Sequence, residues 1–223
     1  MFINKIIMQY NPNLPNLVLD LDGTLVHCTS IKRDKKSDFK ISLKGSKLRV
    51  GYFRPNLENF LRSVKDKFNL YIVSYGSDEY VNYVVEQIQI LMNCDKIFVR
   101  IIARSFFIEY DVFLKKNVNM LKINNNTNFY VIDNEPNCWR VDNNIILIPI
   151  LTFNVKLDHD LDDELMWIFN NNLYQLTIKK KLSIGTHLKI FIKKVYTISK
   201  NTLEELKYNN FNTKRNVGLI YYL

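Results

Sequence analysis

The chain has 223 residues, 47% hydrophobic and 24% charged, a composition that supports a sizeable packed core and excludes a disordered polyelectrolyte. No apolar run approaches the ~18 residues of a membrane helix, and Met1 to Tyr10 is too short in apolar residues for a secretory leader, so an intracellular protein of nucleus or cytoplasm is expected. The net charge of +9 is uneven, with +8 on residues 173–223 and +1 on residues 1–172, and the three scattered cysteines Cys28, Cys94 and Cys138 argue against a disulfide framework or a cysteine metal site.

Residues 1–16 read as a polar lead-in, with Pro12 and Pro15 ahead of the first strand. The apolar run from Leu17 then meets two carboxylates, Asp20 and Asp22, followed by Gly23 and Thr24. In a strand, residues i and i+2 point to one side, which predicts that both carboxylates face one pocket at the strand's C-terminal end. Two close carboxylates repel unless a cation lies between them, and Mg²⁺, a hard cation that prefers oxygen ligands, is the expected one. Gly23 permits a sharp turn.

A basic loop follows at Lys32–Lys36. Phe39, Ile41 and Leu43, then Leu48, Val50 and Tyr52, alternate on either side of Lys44-Gly45-Ser46, which predicts a β-hairpin. Pro55 suits a first helical turn, and Leu57, Phe60, Leu61, Val64 and Phe68 follow at helical spacing. Leu70–Val73 reads as a strand ending in Ser74, and Asp78 as the cap of a helix with Val81, Val84, Val85, Ile88, Leu91 and Met92 on its apolar face. Ile97–Ile102 reads as a further strand, while residues 104–115 show no clear period. A short helix is predicted after Lys116 with Met120 and Leu121 inward, then strands at Phe129–Ile132, ending in Asp133, and at Ile145–Ile148. Asp158 or Asp160 opens a last helix bearing Leu161, Leu165, Ile168 and Phe169. Strands alternating with helices predict a doubly wound parallel sheet, and no internal repeat is present.

Asp20-x-Asp22-Gly23-Thr24 after an apolar strand resembles motif I of the haloacid dehalogenase (HAD) superfamily of phosphotransferases. Leu25-Val26-His27 resembles the branch that holds the phosphatases of the RNA polymerase II C-terminal domain. Tyr71-Ile72-Val73-Ser74 is similar to motif II, Lys116-Asn117-Val118-Asn119 to motif III, with Lys115 as the adjacent alternative, and Asp133-Asn134-Glu135-Pro136 to motif IV. Phe53-Arg54-Pro55-Asn56-Leu57 and Asp142-Asn143-Asn144 also match stations of that pattern, and the resemblance covers roughly residues 17–174. Two departures stand out: Gly23 where protein-directed members usually carry Glu, and Tyr75-Gly76 in place of a smaller pair.

The resemblance implies an α/β, HAD-like Rossmannoid three-layer sandwich with a central parallel sheet, a small β-hairpin insertion and no large cap, hence an open site. It implies a phosphatase domain at 1–174 and a basic C-terminal extension at 175–223. It further implies Asp20 as nucleophile, forming an aspartyl-phosphate, and Asp22 as general acid and base. Mg²⁺ is then held by Asp20, by Asp133 and, through a nearby backbone carbonyl, at Asp22, and the phosphate by Thr24, Ser74, Lys116 and Asn134. The implied substrate is a phosphoprotein carrying phospho-Ser or phospho-Thr. Other readings are a non-catalytic assembly module, as in a mitochondrial import translocase subunit of similar fold, and a nucleic-acid end phosphatase. Related phosphatases of large insect DNA viruses serve nucleocapsid assembly; a Lys/Asn/Ile-rich composition suits such a virion-associated origin, or an AT-rich cellular genome. The basic extension, with interleaved aromatics such as Phe191, Tyr196 and Tyr208, is an expected contact for nucleic acid or another acidic partner. Cys94-x5-Arg100 matches the bare spacing of cysteine-dependent phosphatases, but the intervening Asp95-Lys96-Ile97-Phe98-Val99 reads as a strand, not a glycine-rich phosphate loop.

Overall fold

The computed structural model describes residues 8–30, 36–43, 48–109, 115–123, 128–140, 144–155 and 162–173. The expected turn at Lys44-Gly45-Ser46, Asp142-Asn143, the helix opening at Asp158 or Asp160, and the basic extension lie outside those residues. In chain order the elements are β1 (Asn16–Leu19), β2 (Val26–Thr29), β3 (Phe39–Ile41), β4 (Arg49–Phe53), α1 (Leu57–Val64), β5 (Asn69–Val73) and α2 (Asp78–Leu91). There follow β6 (Arg100–Ile102), α3 (Arg104–Glu109), β7 (Phe129–Asp133), β8 (Ile145–Pro149) and α4 (Glu164–Ile168), with short 3₁₀ turns at Val118–Leu121 and Pro136–Cys138.

Five strands form a parallel sheet in the order β6-β5-β1-β7-β8. Side chains alternate across it, so its two faces can be read from the core. Leu17, Leu19, Leu70, Ile72 and Ile132 pack with apolar residues of α1, α2 and α4. Val18, Tyr71, Val73, Phe129 and Val131 pack on the other side with Phe107 of α3, with Val118, Met120 and Leu121, and with Trp139. Covering both faces explains why β1 and β5 read as unbroken apolar runs, since each fully buried Leu or Ile contributes about 1.5–3 kcal/mol. The result is the expected three-layer α/β sandwich. No helix among the described residues is long and apolar enough to cross a membrane.

Several boundaries differ from expectation for local reasons. Pro55 precedes α1, whose first residue is Leu57; Asn56, in the left-handed region at φ 61, makes the entry turn, a conformation Asn tolerates better than most. Ser77, not Asp78, caps α2, accepting from Tyr80 N at 3.4 Å, while the Asp78 carboxylate accepts from Ser105 N and Oγ at 3.1 and 2.5 Å. The strand expected at Ile97–Ile102 begins only at Arg100; Ile97 and Phe98 are buried without pairing, and burial alone gave them a strand-like look. The segment without clear period at 104–115 begins with α3. The insertion is more than a hairpin: β2 pairs antiparallel with β4, and β3 with the other edge of β4. Val26-His27-Cys28-Thr29 alternates apolar and polar residues over only four positions, directly after the Asp-x-Asp motif, too short a run to set β2 apart from the loop.

Candidate active site

β1 lies between β5 and β7, with Leu19 in register with both Ile72 and Ile132. Asp20 follows directly and its N donates to Ile132 O at 3.0 Å, so Asp20 and Asp133 emerge side by side at the strands' C-terminal ends. Both share parity with Val18 and Val131, on the face covered by the 118–121 turn. Lys116 enters from that side. Its Nζ lies 2.6 Å from Asp20 Oδ1 and 2.8 Å from Asp133 Oδ2, and it is 2% exposed. Lys116 N donates to Cys138 O at 2.6 Å and Arg140 N donates to Lys116 O at 2.8 Å, which fixes the lysine backbone. Lys115 is exposed, so Lys116 is the lysine the fold delivers to the carboxylates.

Asp22 lines the same cleft as Asp20 but is held from a different element. β1 ends at Leu19, and strand parity ends with it. The Asp22 carboxylate instead accepts a hydrogen bond from the Tyr80 hydroxyl of α2, on the opposite face of the sheet. Among the described residues no three acidic, histidine or cysteine side chains converge as a metal cage. The carboxylates of Asp20 and Asp133 are the side-chain donors that could hold a cation, and a contact at Asp22 would run through backbone carbonyl oxygen. Asp20 and Asp22 line one open cleft of about 150 Å³, with Ser74, Tyr75, Gly76, Asp133, Asn134 and Glu135. Ser74 Oγ accepts from Gly76 N at 3.1 Å, which leaves the hydroxyl proton for a ligand.

Thr24 and Asn134 do not match their expected phosphate contacts equally. Thr24 is fully buried, and its hydroxyl donates to Asn134 Oδ1 at 3.0 Å while accepting from Asn134 N at 3.1 Å. Both hydroxyl functions are thus engaged in scaffolding, and Thr24 is a strut, not a phosphate ligand. Asn134 lines the cleft, but its Nδ2 donates to Thr152 Oγ1 at 3.1 Å. Gly23 sits between them at φ 78; a Cβ there would lie 2.9 Å from Asn134 Nδ2. Its carbonyl accepts from Phe153 N at 2.7 Å and from the buried Arg54 guanidinium at 3.4 Å, and Arg54 also reaches Thr24 O at 3.2 Å and pairs with Asp162 at 3.0 Å.

The charges are unbalanced. Three carboxylates face one ammonium, and Asp20 is pushed up to about 7, by burial against the pull of Lys116 and with Asp133 adding to the rise. Asp22, though exposed at its rim, is also raised by the protein packed around its carboxyl, with Tyr80 opposing. Burial pulls Lys116 down, but Asp20 and Asp133 outweigh it and its net shift is upward. Asp20 Oδ2 has no hydrogen-bond donor among the described residues. A cleft of oxygen donors with excess negative charge and a free carboxylate oxygen fits a hard divalent cation.

Two contributors were not foreseen, Tyr80 and Trp139, while Arg54 and Tyr75 stand out in the sequence without a role. Tyr80 gives a readable sign, since it lies on the stripe of Val84 and Ile88 at helical spacing and brings a polar tip to a buried face. Trp139 and Arg54 give no such period. The cysteine alternative is not assembled. Cys94 Sγ turns to Lys96 O at 3.7 Å, and Arg100 turns to Leu121 O at 3.2 Å.

A parallel sheet covered on both faces, with paired carboxylates and a lysine at its C-terminal edge and a small antiparallel insertion, defines an α/β domain of HAD type. The chain belongs to the NLI interacting factor-like phosphatase family, whose sequence model matches residues 15–181. Among solved structures it is similar to the fission yeast RNA polymerase II CTD phosphatase Fcp1 bound to beryllium fluoride. The identity is 18% and the TM-score 0.50, over 92% of this chain and 59% of that one. It also matches a structure of Fcp1, described as an essential RNA polymerase II CTD phosphatase, at 17% identity and TM-score 0.49, over 93% of this chain and 69% of that one. At such identity the likeness shows the fold, and the chain spans 59% of the length of the fission yeast protein. Comparison with curated protein sequences gives no match.

Proposed function

We propose that the protein is a Mg²⁺-dependent phosphatase that removes phosphate from Ser or Thr of a phosphoprotein through an aspartyl-phosphate on Asp20. The observation that carries this reading is the placement of Lys116 between Asp20 and Asp133, beside a carboxylate oxygen with no donor of its own. Asp20 Oδ2 attacks phosphorus, and the bond to the leaving oxygen breaks as Asp22 gives that oxygen a proton. Asp22 then takes a proton from water, whose oxygen attacks the aspartyl-phosphate and releases inorganic phosphate and the Asp20 carboxylate. Lys116 neutralises Asp20 and Asp133, and Ser74 Oγ donates to a phosphate oxygen. Mg²⁺, held by Asp20 and Asp133, supplies further neutralisation of phosphoryl charge when bound.

The substrate class rests on three supports. The family is one of phosphatases. The fission yeast protein of similar fold is named for a protein substrate. The cleft is open, and between Asp22 and Ser74 the chain has room only for the small sheet and α1. In this reading the catalytic domain occupies 1–174, and the +8 extension at 175–223 binds an acidic partner.

Turnover of a phosphoserine peptide compared with a 3′-phosphorylated oligonucleotide, each with and without Mg²⁺, tests the reading. Preference for the peptide is expected. Preference for the oligonucleotide would move the protein to nucleic-acid end processing, and inactivity on both would favour a binding module.

A further inference from the structure

Trp139 is the largest of the fully buried side chains and is 1% exposed. A buried indole N–H needs an acceptor. Here Nε1 donates to Asp133 Oδ2 at 2.7 Å, the same oxygen that accepts from Lys116. The indole ring centroid lies 5.5 Å from Lys116 Nζ, within cation–π range, and Tyr75 flanks the ammonium at 5.2 Å. The backbone around Trp139 forms a bridge with Lys116. Trp139 therefore meets the lysine through its ring and the acid through its N–H, while its neighbours Cys138 and Arg140 hold the lysine main chain. Glu135 N completes the hold on Asp133, donating to Oδ1 at 2.7 Å.

We propose that Trp139 is the positioning residue of the Lys116–Asp133 pair, and that its indole N–H sets the affinity of the site for a divalent cation. The χ1 and χ2 torsions of Asp133 decide where its oxygens point, and donors on both oxygens fix them. Removing the indole donor leaves Lys116 and the longer Cys138 Sγ contact at 3.5 Å as the holds on Oδ2, and the ammonium then draws that oxygen without an opposing donor. Outer hydrogen-bond partners of this kind typically change metal affinity or activity by about 10–100-fold when removed. The proposal rests on the Mg²⁺-dependent reading above.

The test is calorimetric titration of Mg²⁺ alone into the full-length, metal-free protein, wild type and Trp139→Phe. Phe keeps an aromatic ring at the position and loses the donor together with part of the ring's volume. The Mg²⁺ dissociation constant is expected to rise by about 10–100-fold in Trp139→Phe, with KM for a phosphoserine peptide unchanged and turnover restored by excess Mg²⁺. Equal Mg²⁺ affinity in the two proteins overturns the assignment to Trp139 while leaving the cation reading intact. No Mg²⁺ binding by the wild type overturns both. Trp139 and Trp167 are the two tryptophans, so a Trp167→Phe protein carries a single reporter at the site. Mg²⁺ is expected to change its emission. An unchanged emission while calorimetry registers binding refutes the proposal, even if Trp139→Phe fails to fold.

Discussion

The Tyr80 hydroxyl donates a hydrogen bond to Asp22 Oδ1, tying the first turn of α2 to the loop that leaves β1. Tyr80 is 6% exposed and has little freedom, and its hydroxyl holds the more exposed Asp22 carboxylate by a direct hydrogen bond, while Arg49 and Lys116 act on it through charge. If Asp22 gives a proton to the leaving oxygen, orienting it matters in proportion to how poor the leaving group is. Tyr80→Phe is expected to lower kcat/KM for a phosphoserine peptide by about tenfold or more, and that for p-nitrophenyl phosphate far less. Equal losses on both substrates would assign Tyr80 to general structure.

Asp20→Asn is expected to abolish turnover and aspartyl-phosphate formation, because an amide is not a nucleophile. Cys94→Ser is expected to be nearly silent, since that thiol is directed to the Lys96 carbonyl outside the cleft. Beryllium fluoride in the presence of Mg²⁺ should protect the wild type, but not Asp20→Asn, against thermal unfolding. Substantial activity in Asp20→Asn would exclude the aspartyl-phosphate.

The raised Asp20 carboxyl gives the metal-free protein a defined pH response. Its folded value of about 7 lies above the usual 3.8, with burial the main cause. Between these values the unfolded chain releases a proton that the folded chain retains, so stability from this group falls as pH rises through the window and then levels off. A bound dication reverses the preference by favouring the carboxylate. The Mg²⁺-induced rise in melting temperature is therefore expected to be larger near about pH 8 than near about pH 5.5. Equal increments at the two pH values would show that Asp20 is not a ligand.

Gly23→Ala is expected to destabilise on two counts. The positive φ of 78 disfavours a side chain, and its Cβ would press on Asn134 Nδ2 at 2.9 Å. Such substitutions cost about 1 kcal/mol or more, or about 2–4 °C per kcal/mol in a chain of this size. Because Asn134 holds both Thr24 and Thr152, activity should fall further than stability alone explains. A variant with unchanged melting temperature and activity would contradict this account.

The parallel sheet and its catalytic edge were legible because each relevant residue follows an apolar run: Asp20 after Leu17–Leu19, Ser74 after β5, and Asp133 after Phe129–Ile132. Lys116 was legible by its order and spacing, and its burial separates it from Lys115. The i, i+2 spacing places Asp20 and Asp22 on one cleft as expected. What it does not record is that β1 has ended by Asp22, whose carboxylate is held by a tyrosine 58 residues away. Trp139 acts through side-chain reach across the fold, which no local pattern records. Thr24 was misplaced for the opposite reason. Its hydroxyl fits a phosphate site by chemistry, but burial turns it to Asn134.

The register of the central sheet bears on how this chain can change length over evolutionary time. Leu19 stands level with Ile132, and one residue further along Asp20 and Asp133 meet at Lys116. One residue gained or lost in the connections between strands leaves that alignment untouched. The same event inside β7 reverses every side chain that follows it. Asp133 would then be driven among the leucines and valines beneath α1 and α2, while Ile132 or its neighbour took its place beside the lysine. Insertions and deletions in descendants of this sequence should therefore fall outside β1 and β7, and a gap aligned within Phe129–Asp133 marks a copy whose site no longer closes.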